Sequence, residues 1–162
     1  MAPRYTAEQS QINIIFRIGV CMESYLNGKI TTSYLSNHSD NRGSIFIGEF
    51  EKELPFLIQR VYYITNVPDK NIIRGHHAHK KLQQIMICVG GSCDIMFDDG
   101  NSKINLTLDK PDKAIYVKPG VWREMSNFTE KATLIVFASD KYDESDYIRN
   151  YSEFIKIYGG PQ

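Results

Sequence analysis

The chain has 162 residues, room for one domain with a substantial core but not for two. Hydrophobic residues make up 42% and aromatic residues 12%, with ten Tyr and eight Phe, a composition that favours a sheet-rich globular protein and excludes a disordered one. Lys and Arg number 19 against 19 Asp and Glu, so no net charge marks the chain for nucleic acid or an anionic membrane.

Residues 1–28 form an arm without clear turn punctuation, either disordered or an added strand, and carry a second methionine at Met22. Ile12 to Met22 is the only stretch that resembles a targeting segment; Arg17 interrupts it, and it is too short to span a bilayer. From residue 29 to 162 a single domain is expected. Its pattern is short strands separated by turn signals, as in a sandwich or barrel. Strands are predicted at Ile30–Tyr34, Ser44–Phe50, Phe56–Thr65, Ile72–His79, Gln84–Val89, Ser92–Phe97, Ile104–Leu108, Ala114–Val117 and Ala132–Ala138. Asn37–Gly43 reads as a polar turn, and Asp98-Asp99-Gly100 is a strong hairpin signal. Asp143 is expected to cap a C-terminal helix whose apolar stripe is Tyr147, Ile148, Tyr151, Phe154 and Ile155, ending before Gly159-Gly160. The fold class is therefore all-β, a small barrel closed at one end by a C-terminal α-helix.

Cys21, Cys88 and Cys93 are odd in number and have no zinc-like spacing. They suit a reducing, cytoplasmic compartment better than a disulfide framework, and Cys88, inside an apolar run, reads as a small core residue.

The segment Arg74-Gly75-His76-His77-Ala78-His79 carries the most chemistry. On an extended segment His77 and His79 point to the same face, while His76 has the opposite parity. Two imidazoles aimed at one point serve either a metal or acid–base chemistry. The run His77-x-His79 to Gln84 and Gly91 resembles the first cupin motif, with Gln84 where a Glu is usual. Gly120 to Asn127 resembles the second, with Arg123 in place of a ligand histidine. Gln84 is a weak neutral ligand, and Arg123 is a cation that cannot ligate and repels a divalent metal. No metal is expected. What remains is an imidazole pair, a Gln able to orient it, and cations suited to an anionic ligand.

The chain resembles the WxcM-like cupins that act as dTDP-4-keto-6-deoxyglucose 3,4-ketoisomerases. The resemblance rests on Asn41-Arg42-Gly43-Ser44, Pro55-Phe56, Arg60-Val61-Tyr62-Tyr63, Arg74 to Gln84, Gly91-Ser92, Asp98-Asp99-Gly100, Val121-Trp122, Ala138-Ser139-Asp140 and Tyr142 to Arg149. It implies a homodimeric cupin jelly roll without metal or other cofactor. It also implies a dTDP-linked 4-keto-6-deoxyhexose substrate, whose ketone moves from C4 to C3 to supply 3-amino-3,6-dideoxyhexoses for surface polysaccharide. His77, His79 and Tyr62 are the implied catalytic residues. Arg42, Arg60 and Arg74 are candidates for the diphosphate, with surface ion pairing as the bland alternative. Gln84 and Arg123 are placed at the substrate, and Trp122 either lines the pocket or packs in the barrel wall. Asp140, Tyr142, Asp143 and Asp146 read as helix entry and surface. The Arg42-Gly43 pair resembles the branch giving the galacto 3-keto product. The competing readings are a gluco-product ketoisomerase, a nucleotide-sugar epimerase and a non-catalytic nucleotide-sugar-binding cupin.

Overall fold

The computed structural model describes residues 13–17 and 20–160. Its strands are β1 (Asn13–Arg17), β2 (Val20–Tyr25), β3 (Ile30–Tyr34), β4 (Ser36–Asp40), β5 (Gly43–Ile47), β6 (Arg60–Thr65) and β7 (Arg74–His79). They continue with β8 (Gln84–Gly90), β9 (Cys93–Asp98), β10 (Lys103–Leu108), β11 (Lys113–Val117), β12 (Trp122–Ser126), β13 (Thr133–Ala138) and β14 (Tyr147–Ile148). One helix, α1 (Tyr151–Tyr158), follows. The strands form a seven-stranded sheet ordered β1-β2-β3-β11-β8-β13-β6, a five-stranded sheet ordered β10-β9-β12-β7-β14, and a separate β4-β5 hairpin. Every pairing between named strands is antiparallel.

The alternation of apolar side chains explains the two layers. Met86 and Cys88 of β8, Leu134 and Val136 of β13, Ile95 and Phe97 of β9 and Met125 of β12 meet in one core between the sheets. On the other face of β8, Ile85 and Ile87 pack under Leu35, Leu54 and Phe56, so this central strand is buried on both sides. A third cluster, Ala78, Trp122, Ile148 and Phe154, is covered by α1. Phe154 is fully buried there, worth roughly 1.5–3 kcal/mol by area transfer, and anchors the helix to the outside of the five-stranded sheet.

The cupin-type all-β fold with its C-terminal helix is as the sequence implies, with four local differences. β12 was not expected, because Arg123 and Glu124 break its apolar pattern; its fully buried residue is the arginine. The predicted turn at Asn37–Gly43 is mostly strand, paired with β5 in a hairpin too polar on one arm to read as sheet. Asp143 caps a 3-10 turn at Glu144–Asp146, accepting from the Ser145 N–H, while Asn150 caps α1 by accepting from the Glu153 N–H. Tyr147 and Ile148 lie before the helix in β14, against His79 and Ala78. In the N-terminal arm, β1 and β2 extend the seven-stranded sheet; residues 1–12 and 18–19, and the side chain of Cys21, lie outside the described residues.

Candidate active site

His77 and His79 sit on β7 with ring centroids 4.9 Å apart and planes at 85°, on the face opposite Ala78. Gly75 makes this possible. It has φ +94°, and a Cβ there would lie 2.8 Å from the Arg123 carbonyl oxygen, so only glycine lets β7 approach β12 this closely. The register shifts at Arg123/Glu124, a bulge that accommodates the extra residue on β7, and His76 takes φ +51° beside it. His76 is left outside, 3.3 Å from Glu124.

Arg123 pairs in register with His77, and its side chain is fully buried. Among the described residues its Nε, Nη1 and Nη2 have no hydrogen-bond partner, and no carboxylate lies within ion-pair distance. Burial brings its pKa down to about 10, so it remains a cation at neutral pH. Tyr62, on β6, accepts a 2.9 Å hydrogen bond from Gln84 Nε2, which leaves the phenolic proton free to donate and Gln84 Oε1 buried without a partner. Gln84 therefore orients Tyr62, where the sequence suggested an imidazole. Burial pushes the Tyr62 pKa up, keeping the phenol protonated.

His79 is fully buried; its Nδ1 lies 2.9 Å from Asp146 Oδ2, and its Nε2 is buried without a partner. His77 Nδ1 lies 3.0 Å from the Gly75 carbonyl, an acceptor only, so this nitrogen carries the proton and Nε2 the lone pair. Burial, reinforced by the Arg123 guanidinium, holds His77 down at about 4 and His79 lower still. Both imidazoles are neutral near pH 7 and able to accept protons. Tyr147 packs against both, 5.0 Å and 4.3 Å from the two rings, and Arg149 lies over its outer face at 4.3 Å.

Arg60 stands at the edge of this cluster, its guanidinium 5.5 Å from both the Tyr62 and the Tyr142 ring centroids and its Nε buried without a partner. The remaining candidates lie elsewhere. Trp122 is on the face of β12 opposite Arg123, packed against Tyr151 and Phe154, so it is a wall residue and does not line the pocket. Arg74 is exposed at the start of β7. Arg42 has a side chain 86% exposed, on the β4-β5 hairpin, ion-paired with Asp40. Within one chain, then, the fold gathers Tyr62, His77, His79, Gln84, Arg123 and Arg60, and leaves out Trp122, Arg74 and Arg42.

Sequence reasoning missed Asp146 and Tyr147. Asp146 reads as helix entry and surface and Tyr147 as part of the helical apolar stripe; the signal available was an aspartate directly preceding an aromatic at the point where the chain returns to β7.

The cupin fold raises the question of a metal, and the residues do not fit one. The two free imidazole nitrogens share their surroundings with an unneutralised guanidinium, and Gln84 is turned to Tyr62. Among the described residues, no three His, Cys, Asp or Glu side chains form a ligand set. The arrangement suits an oxygen-rich, anionic guest that moves protons.

Residues 28–159 match the family model described as FdtA: WxcM-like, C-terminal. The chain belongs to the FdtA family. A TDP-4-oxo-6-deoxy-alpha-D-glucose-3,4-oxoisomerase from Aneurinibacillus thermoaerophilus is 49% identical over 117 residues, covering 72% of this chain and 84% of that protein. Among solved structures, the FdtA-family chain is similar to a mutant of the 3,4-ketoisomerase QdtA from Thermoanaerobacterium thermosaccharolyticum in complex with TDP-4-keto-6-deoxyglucose. The TM-score is 0.78 with 42% identity, over 80% of this chain and 94% of that one. The WlaRB TDP-quinovose 3,4-ketoisomerase from Campylobacter jejuni has a TM-score of 0.74 and 47% identity, over 78% and 97% of the two chains.

Proposed function

We propose that this FdtA-family chain is a sugar 3,4-ketoisomerase, converting dTDP-4-keto-6-deoxy-D-glucose to dTDP-3-keto-6-deoxy-D-galactose without a metal. The observation that carries the reading is the convergence of two neutral imidazoles, a protonated phenol and an unpaired guanidinium between the sheets. It is supported by relatives named for this reaction on TDP-sugars.

The chemistry needs two hydrogen transfers and no oxidant. An imidazole Nε2 takes the C3 proton, the C3–H electrons form the C3=C4 bond, and the C4 carbonyl electrons move onto O4. Tyr62 donates its proton to O4, giving the enediol. O3 then loses its proton, which restores the phenol directly or through the second imidazole. The C3=O bond forms, and the alkene electrons take the proton from the imidazolium at C4. Net, one hydrogen has moved from C3 to C4 and one from O3 to O4. Each positioned acid or base contributes about 10²–10⁴-fold. Arg123 stabilises the negative charge developing on the enediolate oxygen, where a preorganised donor in a dry site acts most strongly. Arg60 is suited to the diphosphate at the edge.

The substrate contact assigned to Arg42 is made by a second copy of the chain on this reading, since Arg42 is exposed on a hairpin hydrogen-bonded to neither sheet of its own subunit. A homodimer is supported by exposed apolar side chains on and beside the β6 edge, including Leu57, Val61 and Tyr63, and on the hairpin itself at Ile45. A planar enediol carbon takes its configuration from the face that receives the proton, and the Arg42-Gly43 turn is what supports the galacto outcome. Gly43 has φ +135° and nothing within 4 Å of where a Cβ would stand, so the turn is open to a neighbour. Cytoplasmic placement belongs to the same reading and is supported by Cys88 and Cys93 as free thiols.

Proton NMR of the product tests this assignment. Couplings at C4 of the galacto 3-ketone are expected, and a gluco 3-ketone contradicts the stereochemical part alone. Mixing Arg42→Ala protein, expected to shift the product ratio, with the slowed His79→Asn protein is expected to raise the galacto share through heterodimers; an unchanged ratio contradicts the arm crossing between subunits. Exhaustive chelation is expected to leave turnover unchanged, and activity lost to a chelator and regained with one divalent ion contradicts the metal-free chemistry.

A further inference from the structure

Asp146 lies outside the residues that face the guest, yet its carboxylate is held on both oxygens. Oδ1 accepts from the Lys81 N–H at 2.7 Å. Oδ2 lies 2.9 Å from His79 Nδ1 and accepts from the Leu82 N–H at 3.3 Å. The backbone carbonyl of the same residue accepts from the Lys80 N–H at 3.0 Å. The 3-10 turn thus delivers a carboxylate behind the imidazole, held by two successive peptide N–H groups while a third holds the residue's backbone.

We propose that Asp146 is a positioning residue that holds His79 in the Nδ1–H tautomer, so that the Nε2 lone pair faces the interior. An ionised carboxylate can only accept, so the proton between the two belongs to His79 Nδ1. The opposite nitrogen is then a base, which is how it is found: buried and without a partner, beside His77, Tyr147 and Arg123. The backbone bonds to Lys81 and Leu82 keep the carboxylate from turning away. This deepens the ketoisomerase reading and rests on it for the consequence to turnover, though not for the tautomer itself.

Asp146→Asn separates positioning from simple loop-tying. Its amide oxygen keeps the shorter bond from the Lys81 N–H, 2.7 Å, at the expense of the weaker 3.3 Å bond from the Leu82 N–H. The amide NH₂ then faces His79 Nδ1 and donates to it, and the imidazole must adopt the Nε2–H form. The variant retains a backbone tie but reverses the polarity of the base. Nitrogen-15 NMR of the histidines in the unmodified protein is expected to show His79 protonated at Nδ1, and in Asp146→Asn at Nε2. kcat is expected to fall about 10²–10⁴-fold, the range for losing one acid–base group, with KM little changed. An Nε2–H signal for His79 in the unmodified protein overturns the proposal without any variant. So does an Asp146→Asn protein that turns over normally. Unmodified protein that shows no isomerisation while His79 is Nδ1–H contradicts the ketoisomerase reading and leaves the tautomer assignment standing.

Discussion

Arg123→Met is expected to make the protein more stable and nearly inactive. The guanidinium is fully buried and has no partner for any of its three nitrogens, so the empty fold bears the desolvation of a charge without compensation. Replacing buried ions by apolar side chains of similar volume stabilises other proteins by about 1–4 kcal/mol, and methionine adapts to the irregular space. The same substitution removes the buried cation that pairs in register with His77, and losing one preorganised donor of this type costs about 10²–10³-fold in kcat. Thermal unfolding alongside steady-state kinetics measures both effects. A raised midpoint with collapsed kcat is the expected pair. A lowered midpoint with unchanged kcat would mean that Arg123 serves the fold and not the reaction.

His77→Asn and His79→Asn are each expected to lower kcat by about 10²-fold or more. Both proteins should fold, because asparagine retains a donor toward Gly75 or Asp146 while removing the titrating nitrogen. The pH dependence follows from the lowered imidazole pKa values. With His77 at about 4 and His79 lower, kcat/KM of the free enzyme stays level on the acid side down to about pH 5 and falls as His77 takes a proton. Stability follows the same sign. The unfolded histidines titrate near 6.5 and the folded ones lower, so between these values the unfolded chain binds more protons and unfolding is favoured as pH falls. The Asn variants should lose less of their thermal midpoint between pH 7 and pH 4 than the unmodified protein, and equal losses would remove the buried imidazoles from that account.

The sheet architecture was legible where alternation was clean. Strands β8, β9 and β13 follow from their apolar residues, and the β9-β10 hairpin from Asp98-Asp99-Gly100. The pair at His77 and His79 was readable from parity alone, because strand geometry has a period of two. The chain hid what long-range packing supplies. β12 is disguised by a buried arginine, a residue that pattern reading assigns to the surface. β4 is polar because its partner is a single strand and not a core. Trp122 was ambiguous until the register of β12 placed it back to back with Arg123 and under α1. Asp146 could not be assigned, since its meaning depends on a turn 67 residues from His79 in sequence returning to the end of β7.

Incubation with dTDP-4-keto-6-deoxyglucose in heavy water, followed by proton NMR, tests the central claim most directly. Conversion to a 3-ketone is expected, with deuterium carried at C4, because the proton leaving C3 sits on an imidazole that exchanges with solvent. His77→Asn and His79→Asn should slow both conversion and labelling. A 3-epimer that keeps its ketone at C4, or a bound substrate recovered unlabelled and unchanged, would contradict the account.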